Sequence, residues 1–216
     1  MDLFISGIGI ILLSPLLGVL ALLIKLNDRG SVFFRQERLG RGGVPFRILK
    51  FRSMVIAAEQ TGAKWQMTCN DPRVTRIGRI LRDYHLDELP QLINVWRGEM
   101  SLVGPRPALV FQKDYYEPWE MPRLAVRPGM TGLSQISGGN QLNWDQRILI
   151  DVFYVRNRSL ILLAYILLQT VLQLFVKKGI YTAEGGVKGW TRPIPKSYRK
   201  NNQPPQAQQK ETRQHA

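Results

Sequence analysis

The chain opens on LFISGIGIILLSPLLGVLALLI, Leu3 to Ile24, a run of 22 positions without a charge. A helix rising about 1.5 Å per residue would make that run about 33 Å long, which suits a bilayer better than a soluble core. Ser14-Pro15 sits at its midpoint. Proline removes an internal hydrogen bond and clashes with the preceding turn, so a kink is expected there. The pattern leaves two geometries open: a kinked spanning helix, or a helix that bends back and leaves by the face it entered. In either, Ser14 can satisfy backbone carbonyls freed at the bend. Lys25, Arg29, Arg35 and Arg38 follow closely, and positive residues beside a membrane segment place the body in the cytoplasm. A signal peptide fits poorly, because no Lys or Arg precedes the run and no small-residue cleavage site ends it.

In SVFFRQERLGRGGVPFRILKFRSM, two β-prone runs flank Gly40-Arg41-Gly42-Gly43, which predicts a hairpin. Residues 56–72 read as a polar loop. RVTRIGRILRDY then spaces arginines at 73, 76, 79 and 82, spreading them over about half of a helix circumference. Ile77, Ile80, Leu81 and Tyr84 take the other half. Any one of these arginines could be a solvated face. Four together beside a membrane anchor point to lipid phosphates or a substrate diphosphate. Pro90 belongs in the first turn of a helix, so a helix through QLINVW is expected, closed by Gly98. Asp87-Glu88 would then stand at its start, where unpaired N–H groups favour negative charge. SLVGPRP and VRPGMTG, rich in glycine and proline, read as loops.

A last folded stretch begins near Asn143-Trp144. From Leu160 to Val176 another 17 residues carry no charge, with Gln169, Thr170 and Gln173 on one narrow face. The stretch is short for a span, and its polar stripe suits the membrane interface. Beyond Gly185-Gly186 the tail is polar and too poor in apolar residues to fold. The pattern divides the chain into a membrane helix (1–26), a body with interfacial helices (27–187) and a disordered basic tail (188–216).

Composition adds an anionic partner. There are 30 Lys+Arg against 16 Asp+Glu in 216 residues, a net charge of +14. The tail from Lys188 holds seven basic residues and one acidic, so most of the excess belongs to the body. Nucleic acid is disfavoured, because the basic residues lie beside membrane segments and no zinc-finger or RNA-binding signature is present. A single cysteine, Cys69, excludes an internal disulfide, and two histidines cannot build a His-based metal centre.

The acidic pair carries the candidate chemistry. Adjacent helical residues point about 100° apart, so Asp87 and Glu88 do not face each other as a glycosidase pair must. They can converge on one divalent cation or divide two tasks. Mg²⁺ accepts one or two carboxylates completed by phosphate oxygens. Arg106 and Arg127, each beside a proline, offer planar forks for phosphate, and an aspartate can attack phosphorus directly. A nucleotide-sugar glycosyltransferase would usually carry an Asp-x-Asp motif, which this chain lacks. The alternative without catalysis is a basic membrane-associated binding or scaffold protein.

LDELPQLINVWRGEMSLVGPRP, followed by VRPGMTGLSQISG and IDVFYV, closely resembles the bacterial monotopic phosphoglycosyl transferases, over residues 2 to about 178. The resemblance implies an α+β, predominantly α, monotopic fold with a re-entrant helix broken at Ser14-Pro15. It implies transfer of a phosphosugar from a nucleoside-diphosphate sugar to undecaprenyl phosphate, with Mg²⁺, on the cytoplasmic face of the bacterial inner membrane. Asp87 matches the family nucleophile and metal-side acid, and Glu88 the second acid of the dyad. Lys50, Arg52, Arg106, Arg127 and Asp151 match residues lining the site. Phospholipid and a homodimer are the further partners it implies. The chain departs from the family pattern at Gly139, where an arginine is usual, and at Leu133, where a tryptophan is common.

Overall fold

The computed structural model describes residues 1–56, 58 and 71–175. The tail from 188, and nearly all of the loop read from 56–72, lie outside the described residues. Among the described residues the expected α+β, predominantly helical class is borne out: helices predominate, with two small two-stranded sheets and one long apolar N-terminal helix.

Helix α1 runs from Asp2 to Asp28 and remains helical through Pro15. Helical hydrogen bonding continues across Ser14-Pro15, and the reason is local. Proline 15 leaves the carbonyl of Ile11 without its helical donor, and the Ser14 hydroxyl donates to that same oxygen at 2.8 Å. Nor is α1 simply an appended anchor. Leu20 and Ile24 are buried against Phe51 and Leu81, with Leu17, Ala21 and Ile77 around them. Nearer its start, Gly7 and Gly9 bring the helix backbone against Trp96 and Leu92. The Ser101 hydroxyl donates to the carboxylate of Asp2 at 2.8 Å. The opposite face, including Phe4, Ile11, Leu12, Val19, Leu22 and Leu26, is exposed and apolar.

Strands β1 (Phe33–Leu39) and β2 (Pro45–Phe51) form the expected antiparallel hairpin, in register from Phe33 opposite Phe51 to Leu39 opposite Pro45. Gly42 and Gly43 turn it with φ of 69° and 75°, a region that side chains with a Cβ seldom occupy. Helix α2 (Arg76–Asp83) is capped by Thr75, whose hydroxyl accepts from the Gly78 amide at 2.9 Å. That cap corrects the four-arginine helix. Arg73 lies ahead of it and forks onto Asp71 at 2.6 and 2.9 Å, and Arg82 donates to Ser53 at 2.8 Å. Only Arg76 and Arg79 stay exposed on the helix.

Helix α3 (Gln91–Trp96) ends at Gly98, whose amide donates to Val95. SLVGPRP and VRPGMTG are not merely loops. Ser101–Val103 (β3) pairs in parallel with Gly129–Thr131 (β4). The partner strand is far away in sequence, so a local reading misses it. The close backbone approach depends on glycine, since a Cβ on Gly129 would overlap the Gly104 amide.

After the short α4 (Leu133–Ile136), helix α5 (Trp144–Arg156) starts at the expected point. Asn143 and Gln146 form a reciprocal capping box there. Helix α6 (Leu160–Phe175) reverses one expectation. Two of its polar residues face protein: Thr170 shares a 2.7 Å hydrogen bond with Thr131, and the Gln173 amide donates to the Ile136 carbonyl. The exposed face is apolar, with Leu160, Ile161, Tyr165, Leu168, Val171 and Leu172. A short helix whose few hydrogen-bonding groups can find partners in the domain satisfies them there and leaves its apolar side outward.

Candidate active site

Lys50 is placed by an asparagine that no motif singled out. Asn94, fully buried on α3, accepts from the Leu49 amide at 2.9 Å and donates to the Arg47 carbonyl at 2.8 Å. One side chain thus satisfies the open edge of β2 as a third strand would. Helix α3 is thereby fastened to β2 beside Lys50.

The acidic pair does not sit in the first turn of α3, as the sequence suggested. Pro90 is the N-cap of that helix, and Asp87 and Glu88 occupy a separate 3-10 turn, Leu86–Glu88. His85, at φ 55°, ends the run of α2 and starts this turn. The Lys50 ammonium donates to Glu88 at 2.6 Å, and Arg106 Nη2 donates to the same oxygen at 3.0 Å. Glu88 is desolvated, yet Arg106 and Lys50 overcome that cost and hold its carboxyl far below the usual carboxylate range. Glu88 is therefore a permanent anion that ties the two cations together.

Asp87 behaves in the opposite way. It is half-buried and makes no hydrogen bond or ion pair with the described residues. Burial raises its pKa above the ordinary 3.8, the Glu88 charge raises it further, and Lys50 and Arg82 oppose both. The sign of the pH effect follows. A reaction needing the carboxylate of Asp87 is slow below the raised value and accelerates as pH climbs through it, to a plateau. Lys50→Gln removes the largest opposing charge, so the midpoint of the pH–rate curve moves upward. A single-turnover pH series on the wild type and this variant measures that movement.

The other expected residues fall in three places. Arg52 forms an ion pair with Asp28 and joins the end of β2 to the end of α1. Arg127 is exposed on the loop entering β4, its carbonyl against Gly104. Asp151, only 1% exposed, lies in the interior. One of its oxygens accepts from Arg123 at 2.7 Å and the other from Ser134 at 2.7 Å. Arg123 also donates to the Arg106 carbonyl at 3.1 Å and to the Tyr116 hydroxyl, and it lies over the Tyr116 and Trp144 rings. The order Asp151, Arg123, Arg106, Glu88 is thus a continuous chain of polar contacts that fixes Arg106 from behind. Sequence reasoning missed Arg123, although a signal existed. Asp151 falls on the stripe of Trp144, Ile148 and Val152, where a carboxylate needs a buried cation.

The site is basic on one side and carries one carboxylate without a partner among the described residues, an arrangement suited to an anionic electrophile. Among the described residues, no three His, Cys, Asp or Glu side chains converge on a point. Glu88 is engaged by Lys50 and Arg106 through one of its oxygens. Asp87 fits as a lone protein ligand. Mg²⁺ accepts that when phosphate oxygens and water complete its shell.

Residues 1–177 match the family model described as "Bacterial sugar transferase". The chain is 38% identical over 194 residues to "Exopolysaccharide production protein ExoY" of Rhizobium meliloti, covering 83% of this chain and 86% of the relative. It is 43% identical over 189 residues to "UDP-glucose:undecaprenyl-phosphate glucose-1-phosphate transferase" of Caulobacter vibrioides, covering 84% and 70% respectively. It is 45% identical over 177 residues to "UDP-N-acetylgalactosamine-undecaprenyl-phosphate N-acetylgalactosaminephosphotransferase" of Aeromonas hydrophila, covering 79% of this chain and 42% of that longer protein.

Proposed function

Because the chain belongs to the bacterial sugar transferase family, we propose that it transfers a sugar-1-phosphate from a UDP-sugar to undecaprenyl phosphate through a covalent intermediate on Asp87. In the first half-reaction, an oxygen of the Asp87 carboxylate attacks the sugar-bearing phosphorus. The bond from that phosphorus to the bridging oxygen breaks, and uridine monophosphate leaves with the electron pair. In the second, a phosphate oxygen of undecaprenyl phosphate attacks the same phosphorus and expels the carboxylate. Undecaprenyl-diphosphate sugar forms and Asp87 returns unchanged. The observation that carries this reading is the contrast within the acidic pair: Glu88 is held by two cations, and Asp87 beside them has no hydrogen-bond or ion-pair partner among the described residues.

Lys50 and Arg106 place positive charge where the diphosphate must lie, so its approach to Asp87 is not repelled. Glu88 orients both cations and keeps them from capturing Asp87. Mg²⁺, held by Asp87 and the diphosphate oxygens, would neutralise charge on the donor.

A monotopic seat in the cytoplasmic face of the inner membrane agrees with how α1 docks. Domain contacts occur at Asp2, Gly7 and Gly9 and again at Leu17, Leu20 and Ile24. A bilayer core about 30 Å thick needs about 20 residues clear of the domain, and the gap between those contacts is far shorter. A helix held at both ends by one domain is suited to lying within one leaflet rather than crossing both. The outward apolar faces of α1 and α6 supply the surface that lipid would cover.

Mass spectrometry of protein treated with UDP-sugar and Mg²⁺, without acceptor, tests the reaction. The peptide bearing Asp87 should gain the mass of a phosphosugar and lose it on adding undecaprenyl phosphate. Turnover with no such adduct, or an adduct on another residue, would refute the covalent route.

A further inference from the structure

Asn94 and Glu99 make contacts that the scheme above leaves unused. Asn94 is fully buried, and both of its side-chain donors and its oxygen are engaged. Oδ1 accepts from the Leu49 amide at 2.9 Å, while Nδ2 donates to the Arg47 carbonyl at 2.8 Å and to Glu99 Oε2 at 2.7 Å. An ionised carboxylate can only accept, so Glu99 fixes which end of the Asn94 amide meets Leu49. The turn at Gly98, with φ 77°, brings Glu99 back to α3, where its own amide donates to the Asn94 carbonyl at 3.0 Å. Apolar packing runs alongside. Ile48 on β2 is buried with Val95 and Met100, the residues that follow Asn94 and Glu99. Apolar contact is non-directional, so it holds β2 near α3 without choosing a register. The amide bridges Arg47 and Leu49, and that choice is made there.

Register matters because β2 carries Lys50, and the 3-10 turn leading into α3 carries Asp87 and Glu88. The 2.6 Å contact from Lys50 to Glu88 closes a ring that runs from Glu88 through α3, Asn94 and β2 back to Lys50. Lysine ends a flexible four-carbon stem, so its ammonium is only as well placed as the strand beneath it. We infer that Asn94 and Glu99 are a positioning pair for the reaction, acting through Lys50 by holding β2 in the register that keeps its ammonium beside the acidic pair. The inference rests on the reaction proposed above and deepens it. Lys50 is the largest charge opposing the raised pKa of Asp87, so a displaced strand is felt at the nucleophile.

The test uses full-length protein in detergent and compares Asn94→Leu, Glu99→Ala and Glu99→Gln with the wild type. Two quantities are read: the midpoint of the single-turnover pH–rate curve, and the rate at which an amine-reactive ester labels Lys50, followed by peptide mass spectrometry. Asn94→Leu and Glu99→Ala should both label Lys50 faster and move the midpoint upward. Their single-turnover rates should fall by about tenfold to a hundredfold, the scale of a small misplacement. Removing the Glu99 anion without displacing Lys50 would instead lower the midpoint, because one negative charge fewer would act on Asp87. Glu99→Gln keeps an acceptor for the Asn94 amide and should stay close to wild type. In a Lys50→Gln background, neither Asn94→Leu nor Glu99→Ala should raise the midpoint further. Glu99 is only partly buried, so Glu99→Ala carries the test if Asn94→Leu fails to fold. Lys50 labelling at the wild-type rate, a midpoint that stays or falls, or a full further rise in the Lys50→Gln background overturns the positioning role. If labelling quickens but the wild type never acquires an adduct on Asp87, the positioning stands and the reaction reading fails.

Discussion

Asp87→Asn should lose transfer by at least about a thousandfold, the scale on which removing a covalent nucleophile acts, and should form no adduct. The same change should leave the melting temperature unaltered or raise it. The sign follows from the site. Burial lifts the Asp87 pKa above its ordinary 3.8, so the fold prefers the neutral acid, and the carboxylate present at neutral pH costs stability. Asparagine is neutral and nearly isosteric, so that cost disappears along with the chemistry. Uridine monophosphate release and a thermal melt on one preparation check both halves. A variant that turns over at the wild-type rate would remove the nucleophile from the scheme, and one that melts well below the wild type would show Asp87 to be structural.

Asp151→Ala should destabilise the protein by about 3–5 kcal/mol, the range for stranding one member of a buried ion pair. Arg123 is only 5% exposed and would keep its charge without a counter-ion. Against a typical total of about 5–15 kcal/mol, that loss is severe. Two ring faces and the Arg106 carbonyl would still hold the guanidinium, and they do not neutralise it. The double change Asp151→Leu with Arg123→Met should recover most of the stability, because a buried pair replaced by apolar groups of similar volume is often neutral. It should not recover full activity, since the hydrogen bond holding the Arg106 backbone is gone. Denaturant midpoints and donor KM for the single and double variants separate the two effects. A single variant as stable as the wild type would show that Asp151 is not needed to balance Arg123.

Both results turn on residues whose sequence signals differed in kind. Asp87 was legible because an acidic pair between apolar runs, in the company of GPRP and VRPG, is a rare string. The hairpin was legible because Gly40 to Gly43 interrupts two β-prone runs, and α5 because Asn143 and Gln146 cap it. These signals lie within a few residues of the structure they specify. The polar stripe on α6 was legible as a stripe, but its direction was not, since Thr131 and Ile136 lie 37 or more positions away.

Local sequence thus determined the hairpin, the principal helices and the apolar character of α1. Each of these follows from short-range rules of spacing, capping and composition. Only the tertiary structure decided which charge meets which. It gave Glu88 to Lys50 and Arg106, Asp151 to Arg123, Arg73 to Asp71, and left Asp87 without a partner among the described residues. The physical reason is that a charge's behaviour depends on its burial and on neighbours within a few ångströms, and folding draws those neighbours from distant parts of the chain.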